Sequence, residues 1–165
     1  MTTLLDDFWP VFVAGLVIGG LAGTIGLYRH KLKLAVAVGI ALSLVATWIW
    51  HGPAGAADRF AATAERQARE SLVYYEMTKV TAHLHRGPLT RRLVLAGPAD
   101  NWQRGELVRL FGQVPGVSGA TWSERDGGLP LIVEEMLGAL AGFLLGLLVA
   151  WLVQLRRRYN AQWTW

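Results

Sequence analysis

Two histidines, His83 and His85, stand two residues apart in Lys79-Val-Thr-Ala-His-Leu-His. On a strand both imidazoles would project from one face about 7 Å apart, a spacing at which a pair can share a metal ion. His51 and the nearby Glu76 would have to complete such a site, but neither stands at a recognisable ligand spacing. The pair is therefore read as a solvated strand face or an interface contact, with no metal and no cofactor. His30 lies in a short basic turn, and serving a haem or pigment would require a helix-interior position facing a cavity. Glu134 and Glu135 open a long apolar run. Carboxylates are stabilised at a helix N-terminus by its unpaired N–H groups and dipole, whereas proton and ion carriers sit deeper in a membrane; an end-of-helix role is expected for both. Lys79, Arg86, Arg91 and Arg92 are candidates for a basic surface that meets a partner or anionic lipid headgroups, each adding on the order of 1 kcal/mol at a lipid surface. The absence of cysteine excludes disulfides, thiolate metal sites and a Cys nucleophile. With no Gly-rich phosphate loop, no Ser/His/Asp constellation and no paired carboxylates in a cleft, an enzyme is not expected.

These residues must be positioned by 165 residues, of which 53% are hydrophobic and 17% charged. The apolar residues gather into three runs: Phe8 to Tyr28, Leu34 to Trp50, and Met136 to Leu155 with its lead-in from Leu129. A helix needs roughly 20 apolar residues to cross the hydrocarbon core of a bilayer. An α-helical integral membrane protein with three transmembrane helices is the expectation. Trp9 and Tyr28 bracket the first run, as aromatic rings do at the two headgroup levels, and Pro10 falls in its first turn, where a missing N–H costs little. Gly15, Gly19 and Gly23 in the first run, and Gly138, Gly142 and Gly146 in the third, repeat every four residues. That is just over one turn, so each set forms a stripe where another backbone can approach closely.

Two basic clusters orient the runs. Arg29, Lys31 and Lys33 follow the first, and Arg156, Arg157 and Arg158 end the third. They account for six of the sixteen basic residues, so the +4 net charge is read as a topology signal and a contact with lipid headgroups, and not as a nucleic-acid surface. Both clusters are expected on the cytoplasmic side of an inner membrane, with the acidic N-terminus (Asp6, Asp7) and the central region outside, in the periplasm if the cell has two membranes. The N-terminus lacks the basic start of a secretory signal and should be retained. The tail from Tyr159 to Trp165, with Trp163 and Trp165, is read as lying along the cytoplasmic headgroups or against a partner.

Residues 51–128 carry the pattern of a small folded domain. Asp58 is the expected N-cap of a helix whose apolar face is Phe60, Ala61, Ala64, Ala68, Leu72 and Tyr75. After Met77 the period changes to two: a first strand with Val80, Ala82 and Leu84 on one side, a turn at Arg86-Gly87-Pro88, and a second strand from Leu89 to Ala96. In that second strand Leu89, Arg91, Leu93 and Leu95 alternate with Thr90, Arg92, Val94 and Ala96. Asp100 caps a second helix with Trp102, Leu107, Leu110 and Phe111 on one face, and Val117 to Trp122 forms a third strand. The order is α-β-β-α-β.

The strand ending in Leu95-Ala-Gly97, the helix bearing Arg104 and Leu107, and Val114-Pro-Gly-Val117 before the last strand resemble the BON domain, from about Asp58 to Trp122. The resemblance implies a small α/β module of the bacterial envelope that binds phospholipid or an envelope surface and contacts other proteins, without catalysis. The expected protein is a non-catalytic accessory or scaffold subunit. It would pack into a larger membrane complex through its glycine stripes and present a periplasmic BON-like domain to a partner or to lipid. The alternative is a free-standing envelope protein that binds phospholipid through that domain and maintains membrane integrity.

Overall fold

A computed structural model describes residues 5–52, 54–125 and 128–161. Among them, three helices are long and apolar enough to cross a membrane, and the chain is a multi-pass membrane protein with a small α+β unit. The chain divides into two compact units, one formed by 55–134 and one by 7–54 together with the segment from 135 onward.

The helical unit contains α1 (Leu5–Tyr28), α2 (Leu32–His51) and most of α5 (Leu131–Ala161). Small residues line much of its interior, with Phe143 as the large side chain buried among them. Gly15, Gly19 and Ala139 are buried, while Val13, Val17, Leu21 and Ile25 are exposed along α1. Lipid tails are as apolar as leucine, so nothing drives leucine inward, and close backbone approach decides what packs. A three-residue turn joins α1 to α2. Its His30 takes a left-handed conformation (φ 54°), and the Lys31 amide bonds back to the Gly26 carbonyl at 3.0 Å, closing α1 in a Schellman motif. α2 begins two residues before the expected Leu34. α5 continues helically through the Arg156–Arg158 triplet to Ala161, about 46 Å at 1.5 Å per residue. Trp163 and Trp165 lie outside the described residues, as do the side chains of Asp6 and Asp7.

The second unit follows the order α3 (Ala56–Tyr74), β1 (Thr81–Arg86), β2 (Leu89–Ala96), α4 (Asn101–Phe111) and β3 (Gly119–Thr121). The sheet order is β1-β2-β3. β1 and β2 are antiparallel, with Leu84 opposite Leu93; β2 and β3 are parallel, with Leu93 opposite Ala120. A parallel neighbour needs a crossover, and α4 supplies it. One core joins these elements: Phe60, Ala64, Ala68 and Leu72 from α3, Leu84, Leu93 and Leu95 from the sheet, and Leu107 and Phe111 from α4. The buried face of α3 is mostly alanine, which lets the helix lie close to the strands.

Several boundaries differ from the sequence reading. The N-cap of α3 is Gly55, at φ 69°, not Asp58; a left-handed start suits glycine, and the extra turn buries Ala56 and Ala57. Tyr75 is not on the apolar face of α3 but past its end, 46% exposed, and Trp102 is 75% exposed, because the buried stripe of α4 consists of Leu107 and Phe111. The third strand is shorter than expected. Asp100 does cap α4, accepting from the Gln103 amide at 2.7 Å while Gln103 Oε1 accepts from the Asp100 amide, a complete capping box.

Candidate functional site

In the helical unit the two glycine stripes face each other. A Cβ added at Gly15 or Gly19 would collide with the carbonyl of Ala139 or Phe143, and one at Gly142 or Gly146 with the carbonyl of Phe12 or Leu16. Gly23 lies against Ala150 and Leu147, and Gly138 against the ring of Phe8. The paired numbers rise together, so α1 and α5 are parallel. α2 runs the other way, with Gly26 against Ala35 and Gly39 against both Ala22 and the Phe143 ring. The turn holding Arg29, Lys31 and Lys33 therefore lies at the same end of this unit as Arg156, Arg157 and Arg158.

The inward face of α2 carries Gly39, Ser43, Thr47 and His51, again at steps of four. Ser43 donates to the Gly39 carbonyl and Thr47 to the Ser43 carbonyl, both at 2.9 Å, which satisfies two fully buried hydroxyls within their own helix. At the end of this stripe Nδ1 of His51 lies 2.8 Å from Oε2 of Glu135, whose side chain is 2% exposed. The imidazole and the carboxyl share this hydrogen bond, and the imidazole tautomer decides which of them donates. Glu135 is thus not an end-of-helix carboxylate as expected: α5 starts at Leu131, which puts Glu135 in its second turn, held by a side chain 84 residues away in sequence.

In the α+β unit Glu134 is likewise held by a side chain. Arg91 Nε donates to its Oε2 at 2.6 Å. Arg91 also donates from Nη1 to the Gly116 carbonyl at 3.4 Å and lies 4.9 Å over the ring of Phe60. Only 5% of Arg91 is exposed. This overturns its assignment to a basic surface: the strand face that carries Leu93 and Leu95 carries Arg91 inward with them. Arg86 is exposed but paired with Glu65 at 3.0 Å, and the same carboxylate accepts from the Leu84 amide, tying α3 to β1. Lys79 and Arg86 flank opposite ends of β1, about 20 Å apart along a strand, and Arg92 is half-buried. The four basic residues do not form one patch. His83 stands opposite Val94 in the sheet, while His85 Nδ1 donates to the Pro88 carbonyl at 3.0 Å. Among the described residues no group of three or more His, Asp or Glu could hold a metal ion.

What this unit does expose is aromatic. Tyr74 is 80% exposed and Tyr75 46%, their rings meeting edge to face at 5.1 Å. They flank a groove of about 470 Å³ between α3 and α4, with Leu110, Val114 and Pro115 on its other side. On α4, Arg109 pairs with Glu106 at 2.8 Å; that hydrogen bond, and then the carboxylate charge, raise the guanidinium pKa above its ordinary value. Two of the features above left signals in the sequence. The small-polar stripe of α2 has the same four-residue spacing as the glycines, and Arg91 sits in register with three leucines. Comparison with protein-family models, with curated proteins and with solved structures finds no match to this chain.

Proposed function

We propose that this is a non-catalytic accessory subunit of a bacterial inner-membrane assembly, which holds its α+β unit on the periplasmic side to receive a partner protein. The observation that carries the reading is the exposed Tyr74–Tyr75 groove, whose wall mixes Leu110, Val114 and Pro115 with the polar Gln67, Glu70 and Gln113; exposed tyrosines are a residue type on which interface energy concentrates. The α-β-β-α-β order and the two constrained glycines of the BON-like signature support it. Gly97 (φ 134°) brings the chain so close that a Cβ would meet the Lys79 carbonyl at 2.5 Å, and Gly116 (φ 90°) would meet the Phe60 ring at 2.9 Å. Among the described residues, the deeply buried ionisable side chains Arg91 and Glu135 are engaged in pairs that bind one element to another, a structural and not a catalytic use. The glycine stripes close the chain on itself, so attachment to the assembly falls to the lipid-facing helix surfaces and to the groove.

Gentle detergent extraction followed by a native gel tests the proposal. The wild-type protein should co-migrate with a large complex, and Tyr74→Ser with Tyr75→Ser should release it as a small particle. A small lone particle for both proteins would reject this reading and favour a free-standing, phospholipid-binding envelope protein.

A further inference from the structure

We infer that the groove between α1 and α2 binds one anionic phospholipid, with an acyl chain along the groove and the phosphate at Arg29 and Lys31. This goes beyond the accessory role proposed above and rests only on the three helices spanning a bilayer. The groove has a volume of about 480 Å³, within the range of small-ligand pockets, about 300–1,000 Å³. Ala22, Gly26, Ala35 and Gly39 are its small residues, where the two helices approach most closely, and Leu21, Ile25, Val38 and Leu42 wall it. It extends along α1 from Arg29 to Ile18 and along α2 from Lys31 to Leu42. Either stretch is about 16 Å of helix, close to half of a hydrocarbon core about 30 Å thick. The groove is therefore one leaflet deep, the reach of an acyl chain whose headgroup stays at the interface.

Charge argues for the headgroup. Arg29 and Lys31 stand exposed at the mouth, with Lys33 exposed in the first turn of α2. The whole helical unit, 7–54 with 135 onward, contains two carboxylates, Asp7 and Glu135. Both lie at the opposite end from this turn, since α1 starts beside Asp7 and α5 enters the unit at Glu135. No acidic side chain of the unit complements Arg29 and Lys31. A groove open to lipid and ending in two cations matches a phospholipid with a net negative headgroup better than a soluble anion, which would leave the apolar stretch uncovered.

Native mass spectrometry of the full-length protein in detergent, with phosphatidylglycerol and phosphatidylcholine of identical chains at equal concentration, tests this. The wild-type protein should retain one phosphatidylglycerol with a preference of about thirtyfold, the size expected of two interfacial cations. Arg29→Gln with Lys31→Gln should bring the preference close to one, and Lys33→Gln, outside the lining, should leave it. Val38→Trp, changing a lipid-facing wall residue, should lower retention of both lipids. Equal retention of the two lipids by the wild type, or a preference unchanged by the double glutamine variant (as when the Arg156–Arg158 end does the binding), would overturn the inference. So would complete displacement of the lipid by inorganic phosphate. Because these measurements use the isolated protein, loss of a partner complex does not affect them.

Discussion

A buried charge is tolerated when a partner of opposite sign is held against it, and Arg91 receives its partner, Glu134, from a distant part of the chain. Removing one member of such a pair costs about 3–5 kcal/mol, because the other charge stays buried. Glu134 is partly exposed, which places Glu134→Ala at the low end, about 3 kcal/mol. It should appear as a lower Tm of the full-length protein in detergent. Adding Arg91→Leu, which removes the stranded cation, should recover at least half of that loss; strictly additive losses would refute the coupling. A second residue-scale prediction concerns Glu76, at φ 58°. It ends α3 in a Schellman motif, with the Met77 amide on the Leu72 carbonyl at 2.9 Å. A left-handed conformation costs an ordinary L-residue roughly 1–2 kcal/mol, so Glu76→Gly should stabilise the protein by about 0.5–1 kcal/mol in the same melt. At this scale the sequence was legible unevenly. The capping box was readable because its parts lie three residues apart. The partners of Glu134 and Glu135 were not, since a local dipole argument has no means of seeing residues 43 and 84 positions away.

At the scale of elements, the α1–α5 seam is the feature most exposed to test. The chain has no cysteine, so engineered pairs report without background. Gly23→Cys with Ala150→Cys should cross-link within one chain on mild oxidation, because a Cβ at Gly23 would come within 2.7 Å of that of Ala150, so the helices need to part by only about 1 Å to reach the roughly 3.5–4.5 Å a disulfide spans. Adding Gly142→Leu, whose side chain has no room beside Phe12 and Leu16, should reduce the cross-link at least fivefold. Cross-linked dimers in place of monomers would show that the stripes pair between chains. The stripes themselves are plain in the sequence, as is the alternation of β2. Which stripe meets which is a tertiary choice that four-residue spacing leaves open. The exposure of Trp102 was hidden for a related reason: a short helix with apolar residues on two sides buries whichever side the sheet presents, here Leu107 and Phe111.

For the whole molecule, the prediction is one of sidedness. With single cysteines introduced, a membrane-impermeant maleimide should label Trp102→Cys, 75% exposed in the α+β unit, in intact spheroplasts. Arg157→Cys should react only after the membrane is opened. The reverse pattern would invert the orientation proposed here. The three spans and the order of the small domain could be read from hydropathy and period alone, because both depend on local composition. The tyrosine groove could not: it is a gap between α3 and α4, and gaps exist only after packing.

The parallel run of α1 and α5 has a consequence for how the protein behaves once inserted. Six fixed cations sit at one pole of the bundle, and Asp7 and Glu135 lie toward the other. Such a molecule is electrically polarised along its axis, and a membrane at −100 mV acts on each transferred charge with about 2.3 kcal/mol. In the proposed orientation, with the six cations in the cytoplasm, turning the bundle over would drag all six against that field, in addition to their dehydration. The same gene product should therefore be found in a single sense of insertion, and lowering the membrane potential during synthesis is the condition under which a misoriented fraction would first be seen.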